Sequence, residues 1–318
     1  VIKVEGIKNI CNVGTGTMGF GTTLIFAMAG YQVRMFGRSE TSINHGFKSI
    51  KEALETFYEN DLIQQADIQE ILGRIKGFTR LEEAAEGAHF VFEAIDENLV
   101  VKQELFAKIE KLCTSDTIFA SNTSGLSPTA IAETLEHKGR FIVAHFWNPP
   151  HLVPLVEVVP GKHTTQQVVN ATQKLMEKIG KKPVVLKREA LGFIGNRLQL
   201  ALLREALHII ETGIASKEAV DTTIKYSLGR RLSTTGPLES ADLGGLDVFY
   251  NISSYLLKDL CNNEEISLIL QEAVDKKNFG AKTGAGLYDW TPEALAQIKK
   301  TREKNLIEWL HKDKEVDL

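Results

Sequence analysis

The sequence predicts an α/β fold, a doubly wound parallel sheet followed by an all-helical domain, and three observations carry that expectation. Short apolar runs alternate with helical patterns as far as Lys187, the first of those runs ends in glycine-rich sequence that opens a helix, and beyond Lys187 strand-like runs vanish. The 318 residues suit two cores at about 150 residues per domain. With 43% apolar and 25% charged residues, the composition excludes a disordered or fibrous chain.

The elements follow in order. Residues 8–13, Lys-Asn-Ile-Cys-Asn-Val, read as a buried strand, Thr17 to Ala29 as a helix, and Gln32 to Phe36, after the Gly30-Tyr31 break, as a second strand. Thr41 to about Arg74 has helical period with an interruption near Asn60, which predicts a helical excursion off the sheet. Strands are expected again at 89–95, 117–120, 141–146, 154–160 and 183–187, with a helix over Val101 to Leu112 and a late section where strands lie close together. From Gly192 to Glu211, Phe193, Leu200, Leu203, Leu207 and Ile210 recur at helical spacing. The domains are therefore placed at 1–187 and 188–318, packed without a flexible linker, and the tail from Pro292 to about His311 reads as an amphipathic helix.

A formal charge of -4 excludes the basic excess of a nucleic-acid binder. The longest apolar stretch, Leu24 to Ala29, is far short of the roughly 18 residues of a bilayer span, and no charged-then-apolar leader precedes it, so a cytoplasmic protein without a membrane partner is expected. Cys11, Cys113 and Cys261 are widely spaced and read as buried thiols; no spacing suggests a metal site.

Gly14-Thr15-Gly16-Thr17-Met18-Gly19 lies between a strand and a helix, which makes it a Rossmann-type dinucleotide turn. Gly14 permits the tight turn, Gly16 the approach of a pyrophosphate and Gly19 helix-to-strand packing; Thr17 and Met18 belong to the same cradle. The acidic residue that would bond the adenine ribose is missing: the second strand ends in Phe36-Gly37-Arg38-Ser39. Gly37 removes repulsion toward a 2'-phosphate, and Arg38 and Ser39 offer a charge and a hydroxyl, so NADP(H) is favoured. NAD(H) remains the alternative, with Arg38 stacking on adenine from a solvated loop.

Strand alternation puts Phe141, Val143 and His145 on one face, and Leu155, Glu157 and Val159 on one face of the next strand, with a turn-forming Trp147-Asn148-Pro149-Pro150-His151 between them. That pairing sets an imidazole beside a carboxylate, which fixes one ring tautomer and makes the histidine a better base; the alternative is a satisfied structural histidine.

These motifs lie in an order that resembles the 3-hydroxyacyl-CoA dehydrogenase family, which includes lambda-crystallin, L-gulonate dehydrogenase and carnitine dehydrogenase. The resemblance covers nearly the whole chain. It rests on the glycine turn, Glu93-Ala94-Ile95 with Glu97-Asn98 and Lys102, Ser121-Asn122-Thr123-Ser124, His145-Phe146 with Asn148-Pro149, and Leu155-Val156-Glu157. It continues through Gly192-Phe193-Ile194 with Asn196-Arg197, Gly236-Pro237 with Glu239, and Phe279-Gly280 with Lys282-Thr283-Gly284 and Gly286. The resemblance implies His145 as the base, Glu157 orienting it, Ser124 and Asn196 at the reacting oxygen, and Glu97, Lys102 and Asn122 at the cofactor. It also implies a homodimer formed through the helical domain. Other readings stay open at this point: Ser124 and Asn122 as helix caps, Asn196 bonding local backbone, and Lys102, Glu104 and Glu97 as helix-surface charges.

Substrate contacts are expected from Ser124, Asn148, Asn196 and Arg231. The double proline after His145 is similar to the branch acting on small polar hydroxy acids, where Arg230-Arg231 would clamp a carboxylate unless they simply face solvent. The helix carrying Lys48 and Lys51 is where relatives that use CoA meet its nucleotide, and an acyl-CoA substrate stays ahead. A binding protein of crystallin type, its dinucleotide fold retained and catalysis incidental, is the alternative of another class.

Overall fold

A computed structural model describes residues 6–316. It divides the chain into two compact units, residues 1–194 with 300–318 and residues 195–299.

The first unit is built on one sheet of eight strands: β1 (Asn9–Val13), β2 (Gln32–Phe36), β3 (Ile75–Phe78), β4 (Phe90–Glu93), β5 (Ile118–Ser121), β6 (Phe141–Phe146), β7 (Leu155–Pro160) and β8 (Lys182–Val185). Their order is β3-β2-β1-β4-β5-β6-β7-β8. The strands from β3 across to β6 are parallel, so β1, β4, β5 and β6 present their C-terminal ends along one edge. β7 runs antiparallel to β6, and β8 follows β7. The order reverses between β1 and β4, the crevice where doubly wound sheets bind ligands.

Helices α1 (Thr17–Met28), α2 (Glu40–Glu59), α3 (Gln65–Gly73), α4 (Leu81–Ala85), α5 (Leu99–Glu110), α6 (Pro128–Ile131) and α7 (Gln166–Lys178) complete this unit apart from its C-terminal segment. β4, β5 and β6 are buried along their whole length, which is why their sequences are near-continuous apolar runs. Alternation divides the core by sheet face. Ile10, Leu24, Met35, Phe92, Ile142, Phe146 and Val158 lie in one cluster, and Val13, Val91, Phe106, Phe119, Phe141, Val143 and Phe193 in the other.

β3 and α4 are additions to the expected elements. Ile-Lys-Gly-Phe is too short and too polar to read as a strand, yet it pairs along β2 as the sheet edge. The thiols need a correction: Cys11 is buried, but Cys113 and Cys261 are half-buried, because each lies where a helix gives way to loop rather than under the sheet.

The second unit is helical, with α8 (Gly195–Glu211), α9 (Lys217–Tyr226), α10 (Leu228–Arg231), α11 (Pro237–Gly244), α12 (Leu246–Leu256), α13 (Leu268–Asp275) and the first part of α14 (Pro292–Val316). The division falls at 194/195, a little beyond the expected 187/188, and the end of α14 does not stay with the helical unit. Leu306, Ile307 and Leu310 pack on the first unit's core, and a ring nitrogen of His311 meets the carbonyl of Asn60 at 2.8 Å. Among the described residues, no helix is long and apolar enough to cross a membrane.

Candidate active site

β1 ends at Val13 and delivers Gly14, whose φ of +121° suits glycine. A Cβ there would lie 2.4 Å from the carbonyl oxygen of Ala94, and one on Gly19 would lie 2.2 Å from that of Gly14. The first contact fixes the turn against β4 and the second brings α1 onto it. Gly16 differs: a Cβ would meet no heavy atom within 4 Å, so bare backbone is needed there only for an incoming group. Asn12 ties the turn together, its amide donating to the carbonyls of Gly14 and Gly19.

This turn forms one wall of a cavity of about 680 Å³ that also takes in Thr17, Met18, Gly37, Arg38, Leu81, Ile95, Glu104 and Lys108. The cradle fits a dinucleotide: backbone N–H groups at the start of α1, an apolar wall, and the cations Arg38 and Lys108 in its lining. Gly37 is demanded by packing as well, because a Cβ would lie 2.6 Å from Ser42 Oγ and 2.9 Å from Ile43 Cγ1. Ser39 caps α2, accepting from the Ser42 N–H, with Ser42 Oγ accepting from the Ser39 N–H in return. Sequence reading missed Leu81 and Lys108 and took Glu104 only as a helix-surface charge. The period of α5 carries a signal for the last two, which lie four apart on one face.

Behind the cavity is a buried ion pair. Lys102 is 1% exposed, and its Nζ lies 2.6 Å from Glu93 Oε1, while Glu93 is fully buried. Glu93 also accepts from the Ile95 N–H at 2.7 Å and from Ser121 Oγ at 2.6 Å. Lys102 is thus no helix-surface charge; its ammonium lies 3.6 Å from Glu97 as well. Glu97 Oε1 accepts from Thr123 Oγ1 at 2.6 Å and from the Ser124 N–H at 2.9 Å, with Ser124 Oγ at 3.3 Å. Asn122 Oδ1 accepts the Phe146 N–H at 2.8 Å, which pins the end of β6 to the end of β5. Ser127, not the preceding cluster, caps α6.

On β6, His145 stands directly opposite Glu157 of β7, and its Nδ1 lies 2.9 Å from Glu157 Oε2. The pair is nearly dry, with side chains 8% and 1% exposed. An ionised carboxylate only accepts, so in the neutral ring the hydrogen is on Nδ1 and Nε2 carries the lone pair. Two further donors hold the carboxylate: the Ile194 N–H at 2.8 Å on Oε1, and Trp147 Nε1 at 3.3 Å on Oε2. Phe193, at φ +54°, turns the chain so that the next N–H reaches Glu157. The imidazole touches two rings, those of Trp147 and Phe193, each with its centroid at 5.6 Å. Sequence reading treated Trp147 only as part of a turn and gave Phe193 and Ile194 no part in holding Glu157.

Asn148 is exposed at the start of the loop after β6 and carries a cis bond to Pro149. In the second unit, Asn196 lies in the first turn of α8, and Arg230 and Arg231 are exposed in α10, the Arg230 guanidinium 4.7 Å from the Tyr226 ring centroid. On α2, Lys48 and Lys51 are exposed, and Lys48 pairs with Glu52. Among the described residues, no three His, Cys, Asp or Glu side chains gather to hold a metal ion.

Comparison with known proteins agrees with this arrangement. The family described as "3-hydroxyacyl-CoA dehydrogenase, NAD binding domain" matches residues 9–190, and "3-hydroxyacyl-CoA dehydrogenase, C-terminal domain" matches residues 192–290. The chain is 33% identical over 301 residues to 5-formyl-3-hydroxy-2-methylpyridine 4-carboxylate 5-dehydrogenase of Mesorhizobium japonicum, covering 95% of this chain and 96% of that one. It is 34% identical over 285 residues to the probable 3-hydroxybutyryl-CoA dehydrogenase of Bacillus subtilis, covering 89% and 98%. A solved structure of the pyridine-carboxylic-acid 5-dehydrogenase, described as an NAD+ dependent dismutase, superposes with a TM-score of 0.91 at 30% identity over 97% of this chain and 99% of that one. With a dinucleotide cradle at the switch point, a histidine–glutamate pair on neighbouring strands and both family domains matched in order, the chain belongs to the 3-hydroxyacyl-CoA dehydrogenase family and is a dehydrogenase acting on a CH–OH group.

Proposed function

We propose that the protein interconverts a 3-hydroxyacyl-CoA and its 3-ketoacyl-CoA, with His145 as the base and NADP(H) as the preferred dinucleotide. The single observation that carries the catalytic reading is the buried 2.9 Å contact between His145 Nδ1 and Glu157 Oε2. A nicotinamide bound in the cradle supplies the hydride acceptor or donor. In the oxidising direction Nε2 of His145 takes the hydroxyl proton, and the imidazolium so formed is stabilised by Glu157 across a medium that excludes most water. Because three donors from two separate stretches of chain hold Glu157, it stays in place as the proton arrives. Ser124, whose N–H and hydroxyl meet Glu97, is proposed at the reacting oxygen, and Asn148 at the remainder of the substrate.

The NADP(H) preference is supported by the glycine at 37 and by two cations, Arg38 and Lys108, on the cavity wall. Glu104 on the same wall works against it, and the relative with the whole-chain superposition is described as NAD+ dependent. That superposition also favours a second substrate reading, a small carboxylate-bearing alcohol or aldehyde in place of a thioester.

A homodimer formed through the helical unit is supported by its surface. Its helices α9 to α13 bury no residue of their own, and Leu238 and Tyr250 are 84% and 76% exposed.

Following the absorbance of NADPH and NADH with acetoacetyl-CoA, and separately with small keto and aldehyde acids, tests the proposal. Turnover of the thioester supports the first reading. Turnover confined to the small acids replaces it with the second, and turnover of neither removes both.

A further inference from the structure

We propose that Trp147 is a positioning residue for proton transfer: its indole N–H holds the same oxygen of Glu157 that the imidazole of His145 uses, and so sets how strongly Glu157 draws on His145. The inference rests on the reading of His145 as the base.

The geometry is specific. His145 Nδ1 and Trp147 Nε1 lie 2.9 Å and 3.3 Å from Glu157 Oε2, while the Ile194 N–H lies 2.8 Å from Oε1. Trp147 follows His145 by two residues, in the loop that leaves β6, and the two ring centroids are 5.6 Å apart. Among the described residues, Glu157 is the one ionisable partner bonded to either ring. Each donor on a carboxylate oxygen stabilises the anion and leaves it a weaker acceptor for the next. The charge that appears on the imidazole when it gains a proton is therefore balanced less fully with the indole in place than with a purely apolar ring. Trp147 thereby keeps the pair a weaker proton acceptor and eases release of the proton when a keto group is reduced.

Trp147→Phe keeps an aromatic ring and removes the donor. The acid limb of the pH profile of kcat/KM for alcohol oxidation should move to higher pH by about half a unit to one unit, the share of one charge-assisted hydrogen bond. Loss of rate at every pH with the limb unmoved would show a packing role only and overturn the proposal. A second measurement needs no turnover. The chain has three tryptophans, so the indole N–H resonance of Trp147 is the one missing from the spectrum of the Phe variant. In the wild-type protein that resonance should shift with pH through a single transition that Glu157→Gln abolishes. A resonance indifferent to both overturns the proposal. If no substrate turns over, the function proposed above fails, while the resonance still decides the role of Trp147.

Discussion

Replacing Lys102 by Met separates two roles that the sequence leaves entangled. The ammonium is 1% exposed and sits 2.6 Å from the fully buried carboxylate of Glu93. Once it is gone, Glu93 keeps, among the described residues, the neutral donors Ile95 N–H and Ser121 Oγ and no positive charge in contact. Leaving one member of a buried pair without its partner costs about 3–5 kcal/mol. At about 2–4 °C per kcal/mol for a unit of this size, the melting temperature should fall by on the order of 10 °C. Glu93→Gln added to Lys102→Met removes the stranded charge and should recover most of that loss, because the amide oxygen can still accept from the Ile95 N–H while the amide NH₂ donates to Ser121 Oγ, whose hydroxyl can turn to accept. The assay is thermal unfolding followed by circular dichroism, with dinucleotide affinity measured on the same samples. A Lys102→Met protein that melts like wild type but no longer binds the dinucleotide would refute the reasoning and make Lys102 a cofactor ligand first.

Three further outcomes are expected. Gly16→Ala should leave the melting temperature unchanged while weakening dinucleotide binding by about 1–3 kcal/mol, whereas Gly14→Ala should lower both, since only the second collides with Ala94; calorimetric titration beside thermal melts checks this. Arg38→Ala should reduce the NADPH-to-NADH ratio of kcat/KM, and an unchanged ratio removes the 2'-phosphate argument. Burial beside Phe20 and Phe57, with Lys181 close by, lowers the pKa of His151 from 6.5 to about 4. The unfolded chain therefore binds the extra proton first, and stability present above pH 6.5 is lost as pH falls through about 4, about 2–3 kcal/mol of it by pH 4.5. Urea unfolding of His151→Phe at pH 7 and 4.5 should show that much less acid sensitivity than wild type.

The sheet and the catalytic pair were legible because strand periodicity is strong where both faces are buried. Alternation alone placed His145 with Val143, and Glu157 with Val159, and the observed register sets the two polar residues opposite each other. β3 was hidden because an edge strand of four residues needs neither length nor apolar character. The buried Glu93–Lys102 pair was hidden for a different reason: a lysine within a charged helix gives no sign of pointing inward, and its partner lies nine residues earlier on a strand. Trp147 and Ile194 reach Glu157 from a loop and from a left-handed turn, features set by tertiary contact rather than by period. The last turns of α14 pack on the first unit through Leu306, Ile307 and Leu310, spacing that the amphipathic pattern showed without saying which core it served.

Turnover by His145→Gln, with the dinucleotide dissociation constant measured on the same preparation, bears most directly on the proton-transfer role. A positioned base is worth about 10²- to 10⁴-fold. The account predicts a fall in kcat of that size with affinity held within about twofold of wild type. A variant that turns over within about twofold of the wild-type rate would contradict it.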